Sequence, residues 1–191
     1  MTIYRINNDG WKYQDPSIDL ERVIANVPEA IEDSIAFQFP QHNLALASTW
    51  STVPLSFKQI MPDSQDVPDI CTWHGACLIL SPKAYDAIGQ LISPFGEFLP
   101  VDYEGAVYQI FNCRTFGRTD DINSKVEQFD GIPMGAEKLA FNAVDVIDKV
   151  IFKTQLNRCA SCFCGDLLKE AIEKAGLCGI RFETDLTHIF P

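Results

Sequence analysis

Apolar residues follow a readable grammar over the second half of the chain. "CLIL" (77–80) runs four apolar residues together, as in a buried strand. Ser81 and Pro82 follow as an N-cap and first-turn pair. "KAYDAIGQLI" then sets Ala84, Ala87, Ile88, Leu91 and Ile92 on one helical face. "EFLPV" and "AVYQIFNC" (106–113) read as strands, with "DYEG" between them as a turn. Near the end, "CFC" (162–164) is a short apolar run, and Gly165 and Asp166 signal a helix start. "DLLKEAIEKAG" is the clearest helix, with Leu167, Leu168, Ala171, Ile172 and Ala175 on its apolar face. Gly176 stands where a left-handed C-cap belongs. "GIRFET" closes the pattern as an alternating strand.

Two of these stretches are one pattern written twice. "LILSPKAYDAI" (78–88) and "CFCGDLLKEAI" (162–172) superimpose without a gap at an offset of 84. Leu78, Ile79 and Leu80 fall on Cys162, Phe163 and Cys164, so the cysteines occupy the slots of a buried strand. Each copy reads strand, tight turn, helix and a glycine-marked return to a strand. The expected fold is therefore α+β, with two strand–helix–strand units packing their helices on a mixed or antiparallel sheet.

The first 67 residues are less regular. "SIDLERVIANV" (17–27) has helical spacing, with Ser17 or Asp19 as its cap. "SIAFQF" (34–39) and "LALAST" (44–49) alternate as strands do, and prolines at 28, 40, 54, 62 and 68 keep the elements short. We expect an irregular proline-rich segment over 1–67, wrapped on an α+β domain over 68–191, with "PDSQDVPD" (62–69) at the boundary. In "AEKLAFNAVDVIDKVI", "EKLAFNAV" leans toward helix while Val144, Val146, Val150 and Ile151 lean toward strand, so helix and strand both stay open.

Composition narrows the class. The chain has 191 residues, 47% of them hydrophobic, enough for a substantial core. No apolar run approaches the roughly 20 residues of a membrane span, and the polar start lacks a secretory profile. Seven cysteines cannot all pair, which favours reduced thiols in the cytoplasm. The net charge of −11 comes from 26 acidic and 15 basic residues, spread along the chain. It disfavours nucleic acid and anionic membranes, and steers a basic protein partner toward the surface.

The order of the motifs resembles a known family. Pro68-Asp69, "LILSPKAYDAI" (78–88), "FLPV" (98–101), "YQIFNC" (108–113) and "DLLKEAIEKAGLCGIRFE" (166–183) are similar to a bacterial immunity-protein domain encoded beside polymorphic and type VI secretion toxins. The likeness covers about residues 68–184. Gly165 replaces the serine that usually opens the second helix, and the strand before it is unusually rich in cysteine. The resemblance implies a protein that binds and silences a cognate toxin, with no catalytic residues and no cofactor.

Candidate chemistry lies in three places. Cys159, Cys162, Cys164 and Cys178 offer four sulfurs to a zinc ion, but only one C-x₂-C pair is present, and core packing of the thiols is the simpler expectation. Cys164, beside a helix start, is placed for a lowered thiol pKa. His74, with Cys71 or Cys77, would be the nucleophile pair of a hydrolase, although no G-x-S-x-G, H-E-x-x-H or phosphate loop accompanies it. The acidic clusters suit partner binding best: Asp102 and Glu104 flank Tyr103 in a turn, and Asp120 and Asp121 share a polar loop. Asp63, Asp66 and Asp69 line the proline-rich boundary.

Overall fold

The structure, a computed structural model, describes residues 1–130 and 132–188. The fold is α+β. One sheet has six strands, in the order β2 (Asp15–Ile18), β3 (Val53–Lys58), β6 (Gly96–Tyr103), β7 (Ala106–Cys113), β5 (Cys77–Leu80) and β4 (Ile70–Trp73). It is antiparallel except where β3 runs parallel to β6. A second, antiparallel sheet has the order β10 (Ile151–Phe152), β11 (Phe163–Gly165), β1 (Ile3–Asn8) and β12 (Ile180–Glu183). The strands β8 (Lys125–Phe129) and β9 (Ile132–Lys138) pair with each other alone. The helices are α1 (Leu20–Ile24), α2 (Asp33–Ala36), α3 (Pro82–Ile92), α4 (Ala143–Val146) and α5 (Asp166–Lys174).

Strand alternation divides the interior. Along β5, Leu78 and Leu80 enter a core shared by both sheets, while Cys77 and Ile79 enter a second core on the opposite face of the six-stranded sheet. Along β7, Phe111 and Cys113 join the shared core and Tyr108 and Ile110 the other. Cys162, just before β11, and Cys164 within it face the shared core, and Phe163 joins a third cluster with Leu139, Val146 and Phe152. This period of two is the geometry of a pleated strand buried on both faces.

The internal repeat becomes a packing arrangement. Leu78, Leu80, Ala84 and Ile88 of the first copy and Cys162, Cys164, Leu168 and Ile172 of the second all fill the shared core. Every one of these eight is at most 2% exposed; Cys164 occupies a buried slot of β11, and Cys162 is buried just before that strand begins. The two copies start their helices differently. Ser81 Oγ accepts from Ala84 N–H at 3.2 Å, whereas Gly165 offers no side-chain cap. Instead, Asp166 in the first turn of α5 accepts from Thr2 N–H (3.0 Å) and Tyr4 Oη–H (3.2 Å), which ties that helix to β1.

The first 67 residues are more regular than their prolines suggest. β1 lies inside the four-stranded sheet between β11 and β12, and β2 and β3 extend the six-stranded sheet. Both sheets therefore draw on residues on either side of position 67. Asp19 caps α1, accepting from Glu21 N–H. "SIAFQF" turns as a helix instead of extending: Ala36 and Phe39, three apart, both point inward while Phe37 points out. "LALAST" is a loop that ends in a turn, held by Glu97, whose carboxylate accepts from Leu46 N–H (2.9 Å) and Ala47 N–H (3.0 Å). "AEKLAFNAVDVIDKVI" starts as the end of β9, then holds α4 and reaches β10, so the helical lean of "EKLAFNAV" is met only from Ala143 onward. No helix among the described residues is long and apolar enough to cross a membrane.

Two glycines after α5 separate conformational from steric demands. Gly176 has φ +59° and open space where a Cβ would sit; Gly179 has φ +113°, and a Cβ there would collide with Pro68 Cβ and the Ile70 carbonyl. Gly176→Ala is expected to cost about 1–2 kcal/mol from the left-handed backbone alone. Gly179→Ala should cost clearly more, above about 2 kcal/mol. Urea denaturation of both variants checks this, and equal losses would mean that the approach of β4 to residue 179 relaxes freely.

Candidate functional site

The first acidic cluster lies at the tip of the β6–β7 hairpin. Tyr103 pairs with Ala106 across a two-residue turn, and both central residues, Glu104 (φ 53°) and Gly105 (φ 86°), have positive φ. That is the turn geometry whose twist matches a hairpin, and it is tolerated better by glycine than by glutamate. Asp102 stands opposite Val107, and both point to solvent, since the neighbouring pair Val101 and Tyr108 points inward. Val107 is 56% exposed, an apolar contact beside the carboxylates. Tyr103 does not extend as a free anchor. Its half-buried ring meets Phe57 edge-on at 5.0 Å and Tyr108 at 5.4 Å, so it braces the hairpin. Among the described residues neither Asp102 nor Glu104 takes part in an ion pair.

The second cluster is split in role. Asp120 accepts from Ile122 N–H (3.0 Å), Asn123 N–H (3.2 Å) and Asn123 Nδ2–H (2.8 Å). The Asn123 side chain and these backbone donors hold its carboxyl below the usual range. Asp120 therefore shapes its own loop, while Asp121 is exposed beside Ile122, itself 93% exposed. This loop belongs to the connection between β7 and β8, and among the described residues no hydrogen bond or ion pair joins it to the hairpin tip.

Asp69, at the expected boundary, is structural. It accepts from Lys83 Nζ (2.8 Å), Cys178 N–H (3.1 Å) and Cys178 Sγ (3.3 Å), and its own carbonyl accepts from Ser81 N–H. The start of α3, the end of α5 and the entry to β4 meet at this carboxylate. Asp66 offers its carbonyl to Gln14 N–H, and Asp63 its carbonyl to Gln65 N–H.

The four cysteines considered for zinc are not gathered. Cys159, Cys162 and Cys164 are core residues, whereas Cys178 is half-buried and bonded to Asp69. Among the described residues no three His, Cys, Asp or Glu side chains stand as a metal-holding group. Cys164 also departs from expectation: desolvation by burial, with the Asp166 charge, drives its thiol upward against the pull of Lys169. His74 does not engage a thiol. Its Nε2 lies 2.7 Å from the Phe37 carbonyl, and its ring packs against Phe39 and Trp73, each at 5.2 Å, which also touch each other at 6.3 Å. Burial lowers its pKa, and burial pushes the thiols of Cys71 and Cys77 far up.

A groove that no motif announces runs along residues 159–161. Two adjoining cavities, of about 320 and 510 Å³, share Gly75 and Ala160 in their walls. The smaller contains Arg5, Asn8, Thr72 and Ser161; the larger contains His74, Asn157, Arg158 and Cys159. Arg5 is 7% exposed, with Nε donating to Asn7 Oδ1 and Nη1 to the Leu186 carbonyl. The walls carry left-handed backbone at His74, Gly75, Arg158 and Cys159. Gly75 is required there, because a Cβ would stand 2.7 Å from the Cys159 carbonyl oxygen. Only the "HG" pair hints at this in sequence; the positive φ of Arg158 and Cys159 has no residue signature.

Scanned against protein-family models the chain matches none, and no curated protein is significantly similar to it.

Asp69 yields a pH prediction. Burial pushes its carboxyl up, but hydrogen bonds from Lys83 and Cys178 and the lysine charge hold it below the usual range. A depressed carboxyl stabilises the fold above the unfolded value of about 4 and loses that contribution as pH falls through the folded value. Asp69→Asn should cost about 1 kcal/mol or more at pH 7. The difference from wild type should shrink as the pH is lowered from about 5 toward 2. Urea midpoints across that range provide the check, and a difference independent of pH would remove Asp69 from the acid response.

Proposed function

We propose that this protein neutralises a cognate bacterial toxin by stoichiometric binding and occlusion. The observation that carries the reading is the hairpin tip. Two exposed carboxylates, Asp102 and Glu104, stand free of ion pairs on a turn stiffened by the Phe57–Tyr103–Tyr108 contacts. A preformed acidic projection attracts a basic surface and loses little side-chain freedom on docking. Asp121, exposed in the second loop, adds to the same field. Tyr103 and Asp120 act indirectly, by holding the tip and the loop in shape.

Two further features support the reading. The net charge of −11 favours encounter with a basic protein over nucleic acid. The motif order over residues 68–184 resembles that of the immunity proteins encoded beside type VI and polymorphic toxins. In this reading the protein acts in the cytoplasm, needs no cofactor and performs no catalysis. It covers about 800 Å² of the toxin, which blocks substrate access or catalytic motion.

The test begins with the neighbouring reading frame. Co-expression with a toxin domain encoded beside this chain should restore growth, and the two should co-purify as a complex of defined stoichiometry. Paired Asp102→Lys and Glu104→Lys changes should slow association about tenfold and flatten its dependence on salt. Continued toxicity with no complex would overturn the function. A complex with an unchanged association rate would move the interface away from the hairpin.

A further inference from the structure

The groove along residues 159–161 carries unpaired charges of opposite sign in its two cavities. Asp15, half-buried at the start of β2, lines the smaller one. Among the described residues its carboxylate has no ion pair and no hydrogen bond, although Lys58 stands opposite it in β3. Burial pushes the carboxyl up. Ser161 lies in the same wall, 4% exposed, and its hydroxyl is also unbonded among the described residues. Arg5, a cation of that wall, is engaged elsewhere, by Asn7, the Leu186 carbonyl and the charge of Asp185. A desolvated carboxylate and a free hydroxyl in one cavity are acceptors without a donor, and an ammonium group supplies three. Ile60 and Met61 add apolar surface for a hydrocarbon stem.

The larger cavity has the opposite character. Its wall holds no Asp or Glu among the described residues, in a chain whose net charge is −11. Arg158 lies in that wall, exposed, and its guanidinium is in no ion pair or hydrogen bond among the described residues. Asn157 is in the same wall, and its Oδ1 and Nδ2 are both buried without a partner among the described residues. Buried amides are normally satisfied by protein, water or ligand. The two cavities join over Gly75 and Ala160, where no large side chain stands between them. The walls are set in advance: fully buried Lys153 donates to the Pro40 carbonyl at 2.6 Å, and Pro40 lines the larger cavity.

We propose that the groove binds a small linear zwitterion, an ω-amino carboxylate, laid across both cavities. Its ammonium group donates to the Asp15 carboxylate and the Ser161 hydroxyl in the smaller cavity. Its carboxylate accepts from the Arg158 guanidinium in the larger one, a charge-assisted contact. Asn157 Nδ2–H gains an acceptor in the same carboxylate once its side chain turns toward the cavity. The methylene chain crosses Gly75 and Ala160, and Ile60 and Met61 flank its ammonium end. Cavities of about 320 and 510 Å³ with a few convergent polar groups are of the size that holds small molecules. A plain amine leaves Arg158 unpaired and a plain carboxylate leaves Asp15 unpaired, so the zwitterion is selected over either. This site is independent of toxin binding.

NMR titration of backbone amides in the wild-type chain tests it, with ε-aminocaproate and its shorter and longer homologues as probes. The best homologue should bind with the amides of Gly75, Ala160 and Ser161 moving most. Its two halves, caproate and n-hexylamine for ε-aminocaproate, should each bind about tenfold more weakly. Asp15→Asn should weaken the zwitterion about tenfold and leave the carboxylate half unchanged, and Arg158→Gln should weaken it equally and leave the amine half unchanged. Ala160→Phe, which fills the crossing, should lose the zwitterion and keep both halves. No shift at these amides with any homologue, or a half that binds as tightly as the whole, would overturn the site. Folded Asp15→Asn and Arg158→Gln chains that bind the zwitterion as wild type does would overturn the placing of its ends.

Discussion

The interior between the two sheets closes only when both strand–helix units present their apolar faces to it together. Leu78, Leu80, Ala84 and Ile88 enter from one side of the repeat, and Cys162, Cys164, Leu168 and Ile172 from the other. Neither helix has another apolar surface of this size to cover, so each unit completes the other's core. This is also why the second copy carries sulfur. Where the first strand brings two leucines, the second brings two thiols, which are smaller hydrophobes, and one filled volume tolerates large residues from one copy if the other supplies small ones. Leucines at both places would overpack the core and force a shift of the backbone.

The repeat was legible because its signals are local. Two strand runs, a Ser-Pro cap and two helices with apolar faces at a period of 3.6 predict β5, α3, β11 and α5 from residues adjacent in the chain. The hairpin β6–β7 was legible for the same reason. The first 67 residues were not, and their strands show why. β2 and β3 contain Pro16 and Pro54, residues that argue against a strand unless it lies near an edge, as β2 does. In β1 the pattern is masked by Arg5, a charge at a position that is almost fully buried. Its place between β11 and β12 depends on residues more than 150 positions away. Long-range pairing of this kind leaves no short-range trace, and the groove beside it is built from such pairings.

Lys153 shows what a buried charge does for this architecture. A buried apolar side chain of equal length would avoid the desolvation penalty. The amine instead reaches the carbonyl of Pro40, 113 residues earlier, and Gln155 reaches the Gln41 carbonyl beside it. Together they fix the loop after α2 against the strap that leads from β10 to β11. That loop and that strap are two walls of the groove, so the lysine sets the separation of surfaces that packing alone would leave adjustable.

The carboxylates can be sorted by the same question of what each one holds. Asp69 joins α3, β4 and the end of α5; Asp166 fastens α5 to β1; Glu97 carries the loop at Leu46 and Ala47; Asp120 shapes its own loop; Asp145 is bonded to Lys149 and to Arg118 N–H. Each has backbone donors to satisfy, and the fold needs it there. Among the described residues Asp102, Glu104 and Asp121 hold no backbone donor of this kind, and Glu104 even occupies a left-handed position that glycine would fill with less strain. Charge that contributes nothing to the fold, held out on a stiffened turn, is unexplained by stability. Other exposed acids, such as Glu29 and Asp86, carry no such bond either, so it is the stiffened turn under Asp102 and Glu104, more than the total of −11, that supports the proposed basic partner at the hairpin.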